Sequence, residues 1–215
     1  MPTPKAVKTR AHLLSMAKKI ILEEGISRLS MDRLAEQAEM SKGAVMYHFK
    51  TKRALLAALL EDYADHLDAQ LKLCESRWSG APEETIMPGY IDWFRAFDRD
   101  NQGWALIGTS LLAETQRDPE LGVPVQDWYR RLFDRLRAMP EALRPKAFLS
   151  IMALEGLFFT HKFALDQISP AEKHEVCETI LSFFAAGKPN PAANASPARE
   201  EPPEAVHAGR AAHPL

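Results

Sequence analysis

A chain of 215 residues with 46% hydrophobic side chains can bury one sizeable core, or join a small domain to a larger one. It holds no apolar run of ~18 residues, no apolar leader segment, and only two cysteines, Cys74 and Cys177. A cytoplasmic protein with reduced thiols and no membrane contact is therefore expected. The net charge of −2 conceals an asymmetry: residues 1–55 carry eleven basic and five acidic side chains, a net of +6, leaving −8 for the rest. Such a head suits a polyanion, or simply presents a solvated basic face.

The hydrophobic period is helical throughout. Leu13, Leu14, Ala17, Ile20 and Ile21 form the stripe of a first helix, which Gly25 can end. Ser30 can cap a second, with Asp32 in its first turn, running from Met31 to about Glu39 and burying Leu34, Ala35 and Ala38. Ser41 can cap a short third helix carrying Val45 and Phe49, and Thr51 a fourth. The fourth carries Leu55, Leu56, Leu59, Tyr63, Leu67 and Leu71; from Lys52 to Trp78 it would span roughly 40 Å.

Later helices carry Tyr90, Trp93, Phe94 and Phe97, then Trp104 to Thr115, then Trp128, Leu132 and Leu136 between Pro124 and Pro140. A helix over residues 146–166 is apolar almost all round. The last opens on a capping box, Ser169 with Glu172, and buries Val176, Ile180, Leu181, Phe183 and Phe184 before Gly187. Prolines and alanines crowd residues 188–215 without a hydrophobic period, so a disordered tail is expected there.

Residues 30–49 read SMDRLAEQAEMSKGAVMYHF. Two short helices around a tight break share Leu34, Ala35, Ala38, Met40, Val45 and Phe49, and the small alanines permit a close, steep crossing. That is the pattern of a helix-turn-helix, whose second helix enters the major groove.

The stretch from about Thr9 to Leu60, with GISRLSMDRLAEQA, the segment SKGAVMYHF with its Tyr-His-Phe ending, and the following KTKRALLAALL, resembles the TetR family of repressors. One departure is Glu39-Met40, where the family usually has a Gly-Val-like turn; a non-glycine there costs about 1 kcal/mol. The resemblance implies an all-α protein: an N-terminal three-helix helix-turn-helix domain (1–51), a larger C-terminal helical ligand-binding and dimerisation domain (52–187), and the tail. It further implies a homodimer through the last two helices, a palindromic double-stranded DNA operator and a small-molecule effector. Effector in the core would tilt the fourth helix and change the separation of the recognition helices.

Residue roles in the head follow. Ser30 and Ser41 cap their helices, and Ser30 can also face a phosphate. Lys42, Gly43, Ala44 and Met46 open the recognition helix. Lys42 can reach guanine O6/N7, and the two small residues let backbone approach the groove floor. The resemblance assigns Tyr47, His48 and Lys52 to phosphates. The plainer alternatives are a solvated Lys42, and Tyr47 and His48 packed on the fourth helix.

In the remainder, candidate ligand-binding residues are Trp93, Phe97, Trp104, Glu114, Trp128, Glu155, Phe158 and Phe159. Aromatic walls with a carboxylate suit a lipophilic cation, and hence a role in efflux; plain core is the alternative. Glu155, inside an apolar helix, needs a partner, for which His161 and Lys162 are the candidates. Asp62 with His66 is a polar pair rather than a metal site. No catalytic set, cofactor motif or metal-ligand spacing is present, so neither cofactor nor metal is expected. Two other classes remain: a ligand-free activator or architectural DNA binder, and a helical enzyme with a borrowed basic module.

Overall fold

The computed structural model describes residues 3–100, 102–163, 165, 167–184 and 188–189; of 97–100, 102 and 188–189 only the backbone is described. Among the described residues nine α-helices follow one another: α1 (Pro4–Glu24), α2 (Met31–Gln37), α3 (Lys42–His48), α4 (Lys52–Glu75), α5 (Pro82–Asp100), α6 (Gln102–Glu114), α7 (Val123–Arg137), α8 (Arg144–Lys162) and α9 (Pro170–Ser182). Single 3-10 turns at Ile26–Arg28 and Pro119–Gly122, which periodicity cannot reveal, join α1 to α2 and α6 to α7. No described helix is long and apolar enough to cross a membrane.

The caps are those expected. The hydroxyls of Ser30, Ser41 and Thr51 accept the backbone N–H of Arg33, Ala44 and Ala54, at 3.1, 3.2 and 3.1 Å. Ser169 and Glu172 close the reciprocal capping box on α9. Gly25 ends α1 at φ 86°, a conformation that a side chain would strain.

The whole predicted stripe of α1 is buried, and with Leu34, Val45 and Phe49 it forms the core of the three-helix head. The long α4 leaves this head and runs into the remainder, burying ten residues from Leu55 to Cys74. Two glycines set how closely α4 is approached. A Cβ on Gly108 of α6 would lie 2.3 Å from the Tyr63 ring, and one on Gly89 of α5 would lie 2.8 Å from the Cα of Glu75. Both are closer than real Cβ contacts, so only glycine fits there.

Several expected boundaries shift. Helix α4 stops at Glu75, and Trp78–Ser79 instead forms a short strand, β1, pairing antiparallel with Lys188–Pro189, β2. Those two residues belong to the segment expected to be a disordered tail; residues 190–215 lie outside the described residues. Helix α8 ends at Lys162, short of 166, and α9 at Ser182, short of Gly187. Just past α9 the neighbours Phe183 and Phe184 part: Phe184 is buried and Phe183 faces outward, at 39% exposure. Consecutive residues near a helix end point about 100° apart, so one apolar pair cannot share a face.

Candidate DNA-binding surface and effector cleft

Helices α2 and α3 pack through Leu34, Ala35, Ala38 and Val45, with Met40 half-buried beside them. The break between them is a Schellman turn: Met40 N–H bonds the Ala35 carbonyl at 2.9 Å and Glu39 N–H the Glu36 carbonyl at 3.1 Å. Glu39 carries a φ of 52°, and among the described residues it is the one non-glycine at positive φ. The departure from a glycine turn is therefore accommodated by strain at a single residue.

Ion pairs hold the two short helices. Arg33 reaches back to Glu24 at the end of α1 (2.6 Å) and sideways to Glu36 (3.0 Å), pinning α2. Lys42 bonds Asp32 on α2 at 2.9 Å. Both ends of that pair are exposed, so DNA can displace it at little cost.

Lys42, Gly43, Met46 and Tyr47 are exposed, Ala44 and His48 half-exposed, and the side of α3 opposite them is buried. Tyr47 is 71% exposed and so is not packed on α4. Its ring meets His48 edge-on, and Lys50 lies over it at 5.8 Å. Lys52 stands at the first position of α4, where the helix dipole is positive. Arg10, which the sequence did not single out, lies 5.0 Å over Phe49 and joins Tyr47 and His48 along a groove of about 480 Å3. Among the described residues that line that groove none is acidic.

A second concavity opens among α4, α5, α6, α7 and α8. Tyr63, Tyr90, Trp93, Tyr129, Glu155 and Phe158 are its polar and aromatic lining. It is narrow, about 30 Å3, room for very few water molecules. The Glu155 carboxylate is the polar centre: Tyr90 and Tyr129 both donate to its Oε1, at 2.6 and 2.9 Å. Burial raises the Glu155 carboxyl above its usual range, against the two phenols, which stabilise the charged form. Burial also raises the phenols of Tyr63, Tyr90 and Tyr129, and Glu155 adds to it. These hydroxyls therefore stay protonated as donors.

Of the eight residues expected to touch a ligand, Trp93, Glu155 and Phe158 line this cleft. Trp128 is buried behind it, edge-on to Trp93 and Tyr129. Trp104 lies one ring back from it, stacked on the lining residue Tyr63 at 6.2 Å and on His66 at 3.9 Å, with Lys18 over its ring. Glu114 pairs with Arg117 at 3.8 Å, and Phe159 is exposed on α8. Phe97 lies outside the described side chains. The Glu155 partners are also corrected: tyrosines from two other helices take the place offered to His161 and Lys162. A phenol half-hidden in an apolar stripe gives no sequence signal of where its hydroxyl points.

Residues 13–59 match the family model described as bacterial regulatory proteins, tetR family, and residues 89–184 match the tetracyclin repressor-like C-terminal domain. The chain belongs to the TetR family. It is a helix-turn-helix transcriptional regulator, of a family that binds operator DNA and small-molecule effectors and acts as dimers. These regulators are not enzymes.

Similarity to the HTH-type transcriptional activator FasR of Mycolicibacterium smegmatis is 26% identity over 180 residues, 83% of this chain and 82% of that protein. The HTH-type transcriptional regulator TtgR of Pseudomonas putida is 31% identical over 71 residues, about a third of each chain. Among solved structures, the TetR-family member SCO1917 of Streptomyces coelicolor A3 superposes with a TM-score of 0.63 at 18% identity, covering 81% of this chain and 96% of that one. The multidrug binding protein EbrR complexed with ethidium gives 0.60 at 18%, over 81% and 97%. At such identities the structures share the fold.

Proposed function

We propose that this TetR-family regulator is a repressor. Its homodimer holds a palindromic operator through Lys42, Tyr47, His48 and Lys52 and is released by a small lipophilic effector in the cleft around Glu155. The observation that carries the effector site is the carboxylate itself. It lies inside an aromatic wall, two phenols meet it, and among the described residues lining the cleft none is basic. A cation is the effector charge that such a wall and carboxylate favour. Control of an efflux or biocide-response gene is the role such an effector implies.

The narrowness of the cleft supports release. Drug-sized ligands occupy roughly 300 Å3 or more, so entry must part the helices that line it. Tyr63 on α4 is one of the lining residues, and α4 begins at the phosphate contact Lys52.

Dimerisation through α8 and α9 is supported by an apolar stripe that one chain leaves in solvent. Leu149, Met152, Phe159 and Phe163 are 71, 54, 41 and 63% exposed, and Phe183, just past α9 and beneath Lys146 of α8, is 39% exposed. Gly156 lies within the stripe and meets nothing within 4 Å of a built Cβ, so a partner helix can approach it.

The test is operator release by a panel of lipophilic cations, acyl thioesters and aromatic acids, in the parent and in Glu155→Gln. Cations should release the parent and fail on the variant, which keeps operator binding. If acids or thioesters release both proteins equally, the cation reading fails and a neutral or anionic lipophile replaces it. A ligand-responsive activator is the second reading, favoured by the similarity to FasR over most of both chains. A reporter that falls silent when the regulator is deleted would decide for it.

A further inference from the structure

The DNA-facing end of α4 is gripped by the connection between α6 and α7. Arg53, one residue beyond Lys52, donates from Nε to Asp118 Oδ2 at 2.6 Å and from Nη2 to Asp118 Oδ1 at 3.3 Å. The same Nη2 donates to Glu120 Oε2 at 2.6 Å. A guanidinium is a planar fork, and three bonds to two carboxylates on one side leave it a single orientation.

The gripping segment is itself anchored. Leu121 and Gly122 are buried, and a Cβ on Gly122 would lie 3.1 Å from the Gln126 side chain at the start of α7. The helices on either side of it also line the cleft, through Leu112 before it and Val125 after it. Arg53 thus joins the first turn of α4, next to the recognition helix, to a segment anchored in the body by buried residues.

We propose that Arg53 is a positioning residue for operator recognition. Clamped on Asp118 and Glu120, it sets the angle at which the head leaves the body, and so the separation of the two recognition helices in a dimer. Two half-sites one helical turn apart are met only at one such separation. Arg53 does this without touching DNA. Its pairs are exposed, with side chains 55, 31 and 83% accessible for Arg53, Asp118 and Glu120. Exposed pairs add little to global stability, so the clamp acts on orientation.

The proposal depends on operator binding by a dimer and is independent of what the effector is. Its test starts with an operator selected from random duplexes by the parent protein. Affinity for that operator and for a mixed-sequence duplex is measured over a range of salt for Arg53→Gln, for the double variant Asp118→Asn/Glu120→Gln, and for the conservative exchange Asp118→Glu/Glu120→Asp. Thermal unfolding is followed alongside.

Both neutral variants should lose roughly tenfold in operator affinity, the clamp being broken in both protomers. Their salt slope, their affinity for the mixed duplex and their unfolding midpoint should stay as in the parent, and the conservative exchange should retain operator affinity. A slope lower by one unit and equal loss on both duplexes in Arg53→Gln would make Arg53 a phosphate ligand and overturn the proposal. It is equally overturned if Asp118→Asn/Glu120→Gln tightens both duplexes alike, or if no variant changes operator affinity.

Discussion

Glu39 holds a φ of 52° because the Schellman turn after α2 demands it there, and a Cβ makes that conformation costly. Glu39→Gly should raise stability by about 0.5–1 kcal/mol, the gain being reduced by the freer unfolded chain. A thermal midpoint that falls would show that the Glu39 side chain stabilises the turn in some other way. His66 lies against Trp104, and burial, with help from Lys18, lowers its pKa to about 4, while Asp62 opposes the shift. The folded state thus binds fewer protons than the unfolded one between pH 4 and 6.5. Stability contributed by the neutral ring is complete above about pH 6.5 and is lost as pH falls toward 4. His66→Phe keeps the stack and should flatten that part of the stability–pH curve; an unchanged curve would assign the acid sensitivity elsewhere. The Glu155 carboxyl is shifted the other way, upward, but the proposed cation site shares the same acid sensitivity. Its raised pKa means that a cation bound there is held better as pH rises and lost as pH falls through the carboxyl's titration.

Helix α6 closes on α4 over Gly108, where a methyl group would collide with the Tyr63 ring at 2.3 Å. Gly108→Ala should therefore cost about 1–3 kcal/mol and displace Tyr63 from the cleft, seen as a lower unfolding midpoint with altered effector affinity. On α3 and the start of α4 the two lysines have the distinct roles proposed above. Lys52→Ala should weaken binding to every duplex and reduce the salt slope by about one unit. Lys42→Ala should relax preference at one base position by roughly 1–3 kcal/mol. If Lys52→Ala changes sequence preference and Lys42→Ala does not, the roles are reversed. The Lys42–Asp32 pair adds a refinement: Asp32→Asn frees the lysine beforehand.

At the scale of the molecule, the apolar stripe on α8 is the surface proposed to govern assembly. Met152→Glu or Phe159→Glu should yield monomers in sedimentation and lose tight operator binding at the same time, because two heads must act together. Dimers persisting in both variants would place the interface elsewhere. Phe184, just past α9, is buried in its own chain, so a charge there would disturb that chain's packing rather than part a dimer. Phe183, partly exposed beside Lys146, is the proper position near α9 for the test. Truncation after Pro189 should change neither assembly nor DNA binding, whereas truncation before Lys188 also removes the pairing with Trp78 and Ser79.

What the sequence determined alone is what depends on near neighbours along the chain. Helical period, the Ser30, Ser41, Thr51 and Ser169 caps, the Gly25 stop and the buried stripe of α1 all act within four residues or on one face of one helix. The recognition segment was legible for the same reason: its residues are contiguous, and their spacing alone sets which side faces out. Tertiary structure decided whatever depends on distant partners. Glu155 was visible as an awkward charge, but Tyr90 and Tyr129 reach it from 65 and 26 residues away. Arg53 meets Asp118 across 65 residues, and no local pattern distinguishes it from a solvated arginine. Trp104 and Trp93 look alike in sequence; the packing of α6 against α1 and α4 sends one to the stack with His66, and α5 sends the other to the cleft. A side chain's chemistry is written locally, but the environment that gives it a task is assembled only when helices far apart in the chain pack together.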